Sequence, residues 1–250
     1  MRQYSILLII STMIIVGCAS VNKSDNRTME ELHANARALL DGEQWIEAIN
    51  LYKRLERDYP YSKYAVQSQM ELVYAYYQNS EPELAISLAS DLIRTHPTHP
   101  HIDYAYYIRA LSIFNASTSM LDIISPSDPS KFDTEPAKKS FEAFNELVTL
   151  FPTSDYADDS TNRMAELLNI LARQEINIAV FYLQQGSYIA ALNRARFVVE
   201  EYPETTETEP ALAVMIAAYQ ALNLEELSKD ARRVLENSYP NSIYISKDTD

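Results

Sequence analysis

Three kinds of side chain in this sequence could do chemistry: one thiol, a short run of histidines, and several adjacent carboxylates. Cys18 is the sole cysteine, so neither a disulfide nor a cysteine-based metal site can be assembled within the chain. His96, His99 and His101 lie in Thr95-His96-Pro97-Thr98-His99-Pro100-His101. Histidine is a common metal ligand, but a zinc site needs ligands converging from different elements and held by supporting hydrogen bonds. Three histidines in one proline-braced turn read as solvent-facing turn residues, and no metal ligand is assigned. Asp158-Asp159 and Glu200-Glu201 could be acid–base pairs. Asp158 and Asp159 instead suit the positive end of a helix, and Glu200 and Glu201 a solvated face. There is no Gly-rich phosphate loop and no nucleophile elbow. No catalytic residue is assigned, and no cofactor is implied beyond a lipid attached to Cys18. The remaining rich source of chemistry is aromatic: the chain has 18 tyrosines.

The setting of Cys18 gives its role. Met1 and Arg2 make a short basic start and Ile6 to Val16 is almost wholly apolar. That run is about half of the roughly 20 residues needed to cross a bilayer, so it reads as a secretion signal. It ends in Ile15-Val16-Gly17-Cys18, which resembles the lipobox of bacterial lipoproteins: a small residue before the cleaved bond and a thiol after it to accept lipid. The resemblance implies cleavage before Cys18 and three acyl chains on it, where two already hold a protein stably. Ala19 follows, not the aspartate that often marks inner-membrane retention, so the outer membrane is expected. Removing residues 1–17 from the 250-residue chain leaves 233 residues and shifts the formal charge from −14 to −15. A surface this acidic repels nucleic acid and anionic headgroups.

The elements that carry these residues are helices. Only Gly42 and Gly186 remain after residue 17, too few for an all-β fold with many tight turns. A tag recurs five times: Tyr59-Pro60-Tyr61-Ser62, His96-Pro97-Thr98-His99, Phe151-Pro152-Thr153-Ser154, Tyr202-Pro203-Glu204-Thr205 and Tyr239-Pro240-Asn241-Ser242. The prolines are 37, 55, 51 and 37 residues apart. A period in the mid-thirties closed by proline resembles the tetratricopeptide repeat, a helix–turn–helix unit. In this reading the proline stops the second helix of a unit, and the following Ser, Thr or Asn caps the first helix of the next. Twelve residues before each proline stand Ala48, Ala85, Ser140, Ala191 and Ser228, all small, as a close helix crossing requires. Eight before stand Tyr52, Ala89, Phe144, Ala195 and Arg232; five before stand Leu55, Leu92, Leu147, Val198 and Leu235. Gly42 with Trp45, and Gly186 with Tyr188, fall at turns between paired helices.

Two proline spacings exceed 37, by 18 and 14 residues. The first excess, Ser117 to Glu135, holds Pro126 and Pro129 and reads as a loop. The second, Asp155 to Gln185, has no breaker and keeps helical spacing at Met164, Leu167, Leu168, Leu171, Ile178, Phe181 and Tyr182. It predicts one long helix, extended by roughly 21 Å, between two blocks of repeats. The expected fold is therefore all-α: five tetratricopeptide-like helix–turn–helix repeats in a superhelix. Its parts are a signal peptide at 1–17, a lipidated tether at 18–28 and an N-terminal lobe at 29–152 with repeats 1–3. A C-terminal lobe at 153–240 holds the long helix and repeats 4–5, and a tail covers 241–250. First helices line the concave face of such a superhelix. Tyr74, Tyr76 and Tyr77 fall on one first helix and Tyr104, Tyr106 and Tyr107 on the next. Most of these rings belong to the core, while some should face the groove and suit an extended peptide.

Leu72-Val73-Tyr74-Ala75-Tyr76-Tyr77, Pro97-Thr98-His99-Pro100-His101-Ile102-Asp103-Tyr104 and Asn193-Arg194 carry a closer likeness. From about Glu30 to Pro240 the chain resembles the BamD-type lipoproteins of the outer-membrane β-barrel assembly machine. The resemblance implies a non-catalytic scaffold on the periplasmic face of the outer membrane, held by its lipid. It implies a C-terminal lobe docked on a POTRA domain of the barrel-forming subunit, other assembly lipoproteins as partners, and an N-terminal lobe receiving unfolded outer-membrane proteins. Arg194 matches the family arginine that pairs with a POTRA carboxylate, and Tyr59 a tyrosine of the substrate-binding region. Tyr59, Tyr74, Tyr77 and Tyr104 are the candidates to receive aromatic residues of a substrate strand. The chain departs from the family at Ser127-Asp128-Pro129-Ser130-Lys131, where arginines are common beside the Asp-Pro.

Two other classes compete with this reading. A general envelope adaptor lipoprotein, for example one coordinating cell-wall synthesis, would share the repeats and the lipid. The Thr-His-Pro and Ile-Asp-Tyr segment and the two insertions favour the assembly scaffold over it. A hydrolase concealed in the helical array would need a catalytic constellation that the sequence does not supply.

Overall fold

A computed structural model describes residues 27–121 and 133–245, all of whose regular elements are helical. Cys18, and Ser127 to Lys131, lie outside the described residues. Among the described residues ten helices follow one another: α1 (Met29–Asp41), α2 (Trp45–Asp58), α3 (Ala65–Gln78), α4 (Pro82–Thr95), α5 (Ile102–Leu121), α6 (Glu135–Leu150), α7 (Ala157–Gln184), α8 (Tyr188–Glu201), α9 (Thr208–Ala221) and α10 (Glu225–Ser238). They pair as five helix–turn–helix repeats, each helix packing on its neighbours in sequence. Among the described residues no helix is long and apolar enough to cross a membrane.

Local chemistry explains the boundaries. At α1 the Thr28 hydroxyl accepts from the Glu31 N–H at 3.2 Å, and the Glu31 carboxylate accepts from the Thr28 N–H at 2.8 Å, a reciprocal cap. Within four of the five repeats the chain reverses through a residue with positive φ: Glu43 (58°), Ser80 (59°), Gly186 (74°) and Asn223 (59°). Each time the next N–H reaches back five residues, as in Gln44 to the Leu39 carbonyl at 2.9 Å and Ser187 to the Tyr182 carbonyl at 2.9 Å. Gly42 does sit in this turn, but with φ −88°; its neighbour Glu43 takes the left-handed position.

The tags have one repeated geometry, which corrects an expectation. After each proline two successive three-residue turns form: Ser62 N–H to Tyr59 and Ala65 N–H to Ser62, then the same at His96–Ile102, Phe151–Ala157, Tyr202–Thr208 and Tyr239–Ile245. In the first, third and fourth tags the hydroxyl residue (Ser62, Ser154, Thr205) therefore stands three positions before the helix and cannot cap it, since a cap directly precedes the first helical residue. It ties the turn instead. Ser154 Oγ accepts from the Tyr156 N–H at 3.2 Å, and the Thr205 hydroxyl donates to the Tyr202 carbonyl at 2.8 Å.

Packing follows the small positions. Ala48, Ala85, Ser140 and Ala191 are fully buried and Ser228 nearly so, as are Leu55, Leu92, Leu147, Val198 and Leu235. One apolar cluster runs from Ala36 to Leu171, and the next begins at Ala172 and reaches Val214. Both belong to α7, whose 28 residues double the 14 of α8. The segment read as a loop from Ser117 is helical as far as Leu121. The sequence has no breaker between Ser117 and Leu121, so nothing there interrupts the helix.

Candidate functional site

The first helices α1, α3 and α5 lie side by side and enclose a cavity of about 430 Å³. Trp45, Tyr74 and Tyr104 are its aromatic wall, and Leu40 and Met70 add apolar surface. Trp45 meets Tyr74 edge to face, with ring centres 6.0 Å apart. The Tyr74 hydroxyl accepts from Gln78 at 2.7 Å. Tyr104 packs against Tyr156 at 5.7 Å, and burial beside Tyr156 and Tyr74 pushes its phenol up.

The polar wall is built on Glu71, a nearly buried carboxylate on α3. It accepts from Arg37 Nη1 at 2.7 Å and Gln67 Nε2 at 3.0 Å, and His33 Nε2 lies 3.0 Å away. Burying a carboxylate is costly unless its oxygens are satisfied, and three neighbours satisfy these. Arg37 also reaches Asp41 at 3.3 Å, and Glu71 holds the guanidinium above its ordinary value. His33 is clamped by stacking on Tyr64 at 4.4 Å.

Of the four tyrosines expected in a groove, the structure brings Tyr74 and Tyr104 to this cavity. Tyr77 and Tyr59 do not line it. The Tyr77 hydroxyl accepts from Asn115 at 3.1 Å, which ties α3 to α5. The Tyr59 hydroxyl donates to the Arg27 carbonyl at 3.4 Å, where the chain enters α1. Tyr76 is core. Tyr107 stacks on Tyr156 at 4.6 Å and donates to Asp159 at 2.7 Å. Burial and the Asp159 charge push the Tyr107 phenol up to about 12.

In the C-terminal half, Arg194 projects from α8 and donates to Glu175 of α7 at 2.8 Å, with 45% of its side chain exposed. Arg196 pairs loosely with Glu200 at 3.7 Å. Ile189 and Phe197 are exposed on the same helix. At 100° per residue, Ile189, Asn193, Arg196 and Phe197 share about 100° of arc, and Arg194 stands about 60° beyond Phe197. Arg194 thus borders an exposed strip on which two apolar side chains, Ile189 and Phe197, alternate with Asn193 and Arg196.

The histidine run does not converge. His99 Nδ1 accepts from the His101 N–H at 3.2 Å, and His96 Nδ1 lies 2.8 Å from the Thr95 hydroxyl. Among the described residues no three His, Cys, Asp or Glu side chains gather to hold a metal. A larger cavity, about 620 Å³ between α4, α5 and α6, contains none of the residues singled out from the sequence. The Glu71 cluster and Trp45 as a cavity wall were missed. Their signal was a charge pair one repeat apart, Arg37 with Glu71, which recurs as Arg173 with Glu207 at 2.8 Å.

The chain is similar to known proteins over almost its whole length. BamD of Neisseria gonorrhoeae, an outer membrane protein assembly factor, is 36% identical over 249 residues, covering 96% of this chain and 93% of its own. That of Neisseria meningitidis serogroup A is 39% identical over 219 residues, covering 88% and 82%. That of Vibrio cholerae is 29% identical over 237 residues, covering 94% and 98%. Among solved structures, a tetratricopeptide repeat protein from Parabacteroides merdae is 13% identical, with a TM-score of 0.38, and covers 86% of this chain and 68% of its own. The model of the YfiO family, described as an outer membrane lipoprotein, matches residues 25–235. That span begins ahead of α1 and ends within α10, and the chain belongs to the YfiO family of outer membrane lipoproteins.

Proposed function

We infer that this protein is a non-catalytic scaffold for assembling β-barrel proteins into the outer membrane, held on the periplasmic face by lipid on Cys18. The observation that carries the reading is identity of 36% and 39% with two outer membrane protein assembly factors, across 93% and 82% of their lengths. The fold suits the role, because stacked helix pairs present long surfaces without a reaction centre. The N-terminal lobe, residues 29–152, receives unfolded barrel proteins through the aromatic wall of Tyr74 and Tyr104, with Tyr59 and Tyr77 at its margins. The C-terminal lobe, residues 153–240, docks through Arg194 on a POTRA domain of the barrel-forming subunit. Arginine suits a carboxylate partner because its planar fork can hold two oxygens at once. Other assembly lipoproteins complete the complex.

Depleting the protein in living cells tests this reading. Folded barrel proteins should fall in the outer membrane while unfolded forms accumulate. Unchanged barrel levels, with defects confined to cell-wall synthesis, would favour an envelope adaptor instead.

A further inference from the structure

We propose that the cavity between α1, α3 and α5 accepts a cationic side chain, a lysine or arginine flanked by aromatic residues in the bound polypeptide, and rejects a terminal carboxylate. The proposal rests on the reading of the N-terminal lobe as the receiving lobe, and names the chemistry that this lobe selects.

The first support is the charge count. The cavity wall carries one cation, Arg37, and three carboxylates, Asp41, Glu43 and Glu71. The cation is committed: Arg37 gives Nη1 to Glu71 at 2.7 Å and Nε to Asp41 at 3.3 Å. Glu71 is in turn fixed by Gln67 and His33. A ligand carboxylate would find the Arg37 charge already offset by Glu71 and Asp41, so even the guanidinium donors left over would give it little net attraction. It would also face Asp41 and Glu43, both exposed at the mouth. Like charges at that range repel, and a low-dielectric wall strengthens the repulsion.

The second support is the aromatic wall, which is independent of the charges. Trp45 and Tyr74 hold a fixed edge-to-face pair with centres 6.0 Å apart, and Tyr104 stands on the neighbouring helix. Trp and Tyr faces attract ammonium and guanidinium groups, and the same walls can pack a flanking aromatic ring of the polypeptide. A cavity of about 430 Å³ lies within the range that holds a small ligand, large enough for one long basic side chain and part of its neighbour. Glu43 suits the mouth because the left-handed turn at φ 58° holds its backbone beside Trp45.

The test uses the full mature chain and a ten-residue strand peptide containing two aromatic residues and one lysine. The peptide is made with lysine or alanine, and with a free or an amidated C-terminus, and binding is followed by fluorescence anisotropy at two salt concentrations. Lysine→alanine should weaken binding about tenfold, within the span of a desolvated cation–aromatic contact. Amidation should change affinity by less than about twofold, and added salt should weaken only the lysine peptides. Asp41→Asn with Glu43→Gln should weaken the lysine peptide several-fold and should not weaken the alanine peptide, and stability should fall by no more than an exposed ion pair contributes. Binding that is abolished by amidation and indifferent to lysine would overturn the proposal while keeping the groove. Failure of every peptide to bind would overturn the receiving role itself, and this inference with it.

Discussion

Arg194→Ala perturbs the residue proposed to dock on a POTRA domain, and the structure sets what the change should cost. In the free protein Arg194 donates one hydrogen bond, to Glu175 at 2.8 Å, with side chains 45% and 19% exposed. An ion pair this accessible is screened, so losing it should cost the fold no more than about 1 kcal/mol. Arginine has five N–H donors, so the guanidinium can keep Glu175 while its outer edge meets a partner carboxylate. At a desolvated interface centre, truncating such a group costs about 2–5 kcal/mol, mostly as faster dissociation. Arg196 pairs with Glu200 at 3.7 Å with both side chains more than half exposed, so Arg196→Ala should cost less than about 1 kcal/mol of binding. Dissociation rates from an immobilised POTRA segment would measure both. Glu175→Gln separates docking from internal support: it removes the charge that Arg194 holds in the free protein without touching the partner. Binding should survive that change, and Arg194→Ala should remain deleterious in its presence. Equal losses at Arg194 and Arg196, no loss at Arg194, or a loss at Glu175→Gln as large as at Arg194→Ala would refute the assignment.

The remaining expectations are more local. Tyr76→Ala should cost about 3–5 kcal/mol of stability because the ring is core, whereas Tyr74→Ala and Tyr104→Ala should weaken peptide binding by more than they lower the melting temperature. Loss of stability without loss of binding at both would remove these rings from the groove. Tyr107→Phe should destabilise by about 1 kcal/mol at neutral pH. Burial pulls Asp159 up, but hydrogen bonds from Arg163 and Tyr107 outweigh it and hold the carboxyl below its usual value. That support is therefore present above the unfolded pKa of about 4 and fades as pH falls through the lower folded value. Conversely, the Tyr107 phenol is raised to about 12, so its contribution holds below about 10 and is lost as pH rises through the folded value. Denaturant melts of wild type and Tyr107→Phe at several pH values would show both edges. Finally, Cys18→Ala without residues 1–17 should give a soluble chain with full helical circular dichroism, since the core begins at Leu32; loss of helicity would contradict a purely anchoring role.

What could be read from the residues was whatever repeats. Five prolines with small residues at one offset located the close helix crossings, because a small side chain such as Ala or Ser lets two backbones approach there. The doubled helix α7 was legible because its apolar period continued without a breaker from Met164 to Tyr182. The sorting of tyrosines was not. Tyr74 and Tyr77 sit one turn apart on α3, yet one reaches the cavity and the other bonds Asn115 on α5. Periodicity gives the face of a helix, while the neighbour across the groove decides what a ring at its edge will touch. The Glu71 cluster was hidden because its partners come from two turns of α1 and one of α3, at separations of 38, 34 and 4 residues. The turn chemistry of the tags was misread for a smaller reason: two successive turns occupy the residues between proline and helix, which displaces the hydroxyl from the capping position.

Isolating the protein from outer membranes in mild detergent and identifying what comes with it tests the scaffold role most directly. A POTRA-containing barrel protein should accompany it in comparable amount, lost from the Arg194→Ala preparation and retained with Arg196→Ala. Recovery of the protein with cell-wall enzymes and no POTRA-containing barrel would contradict that role.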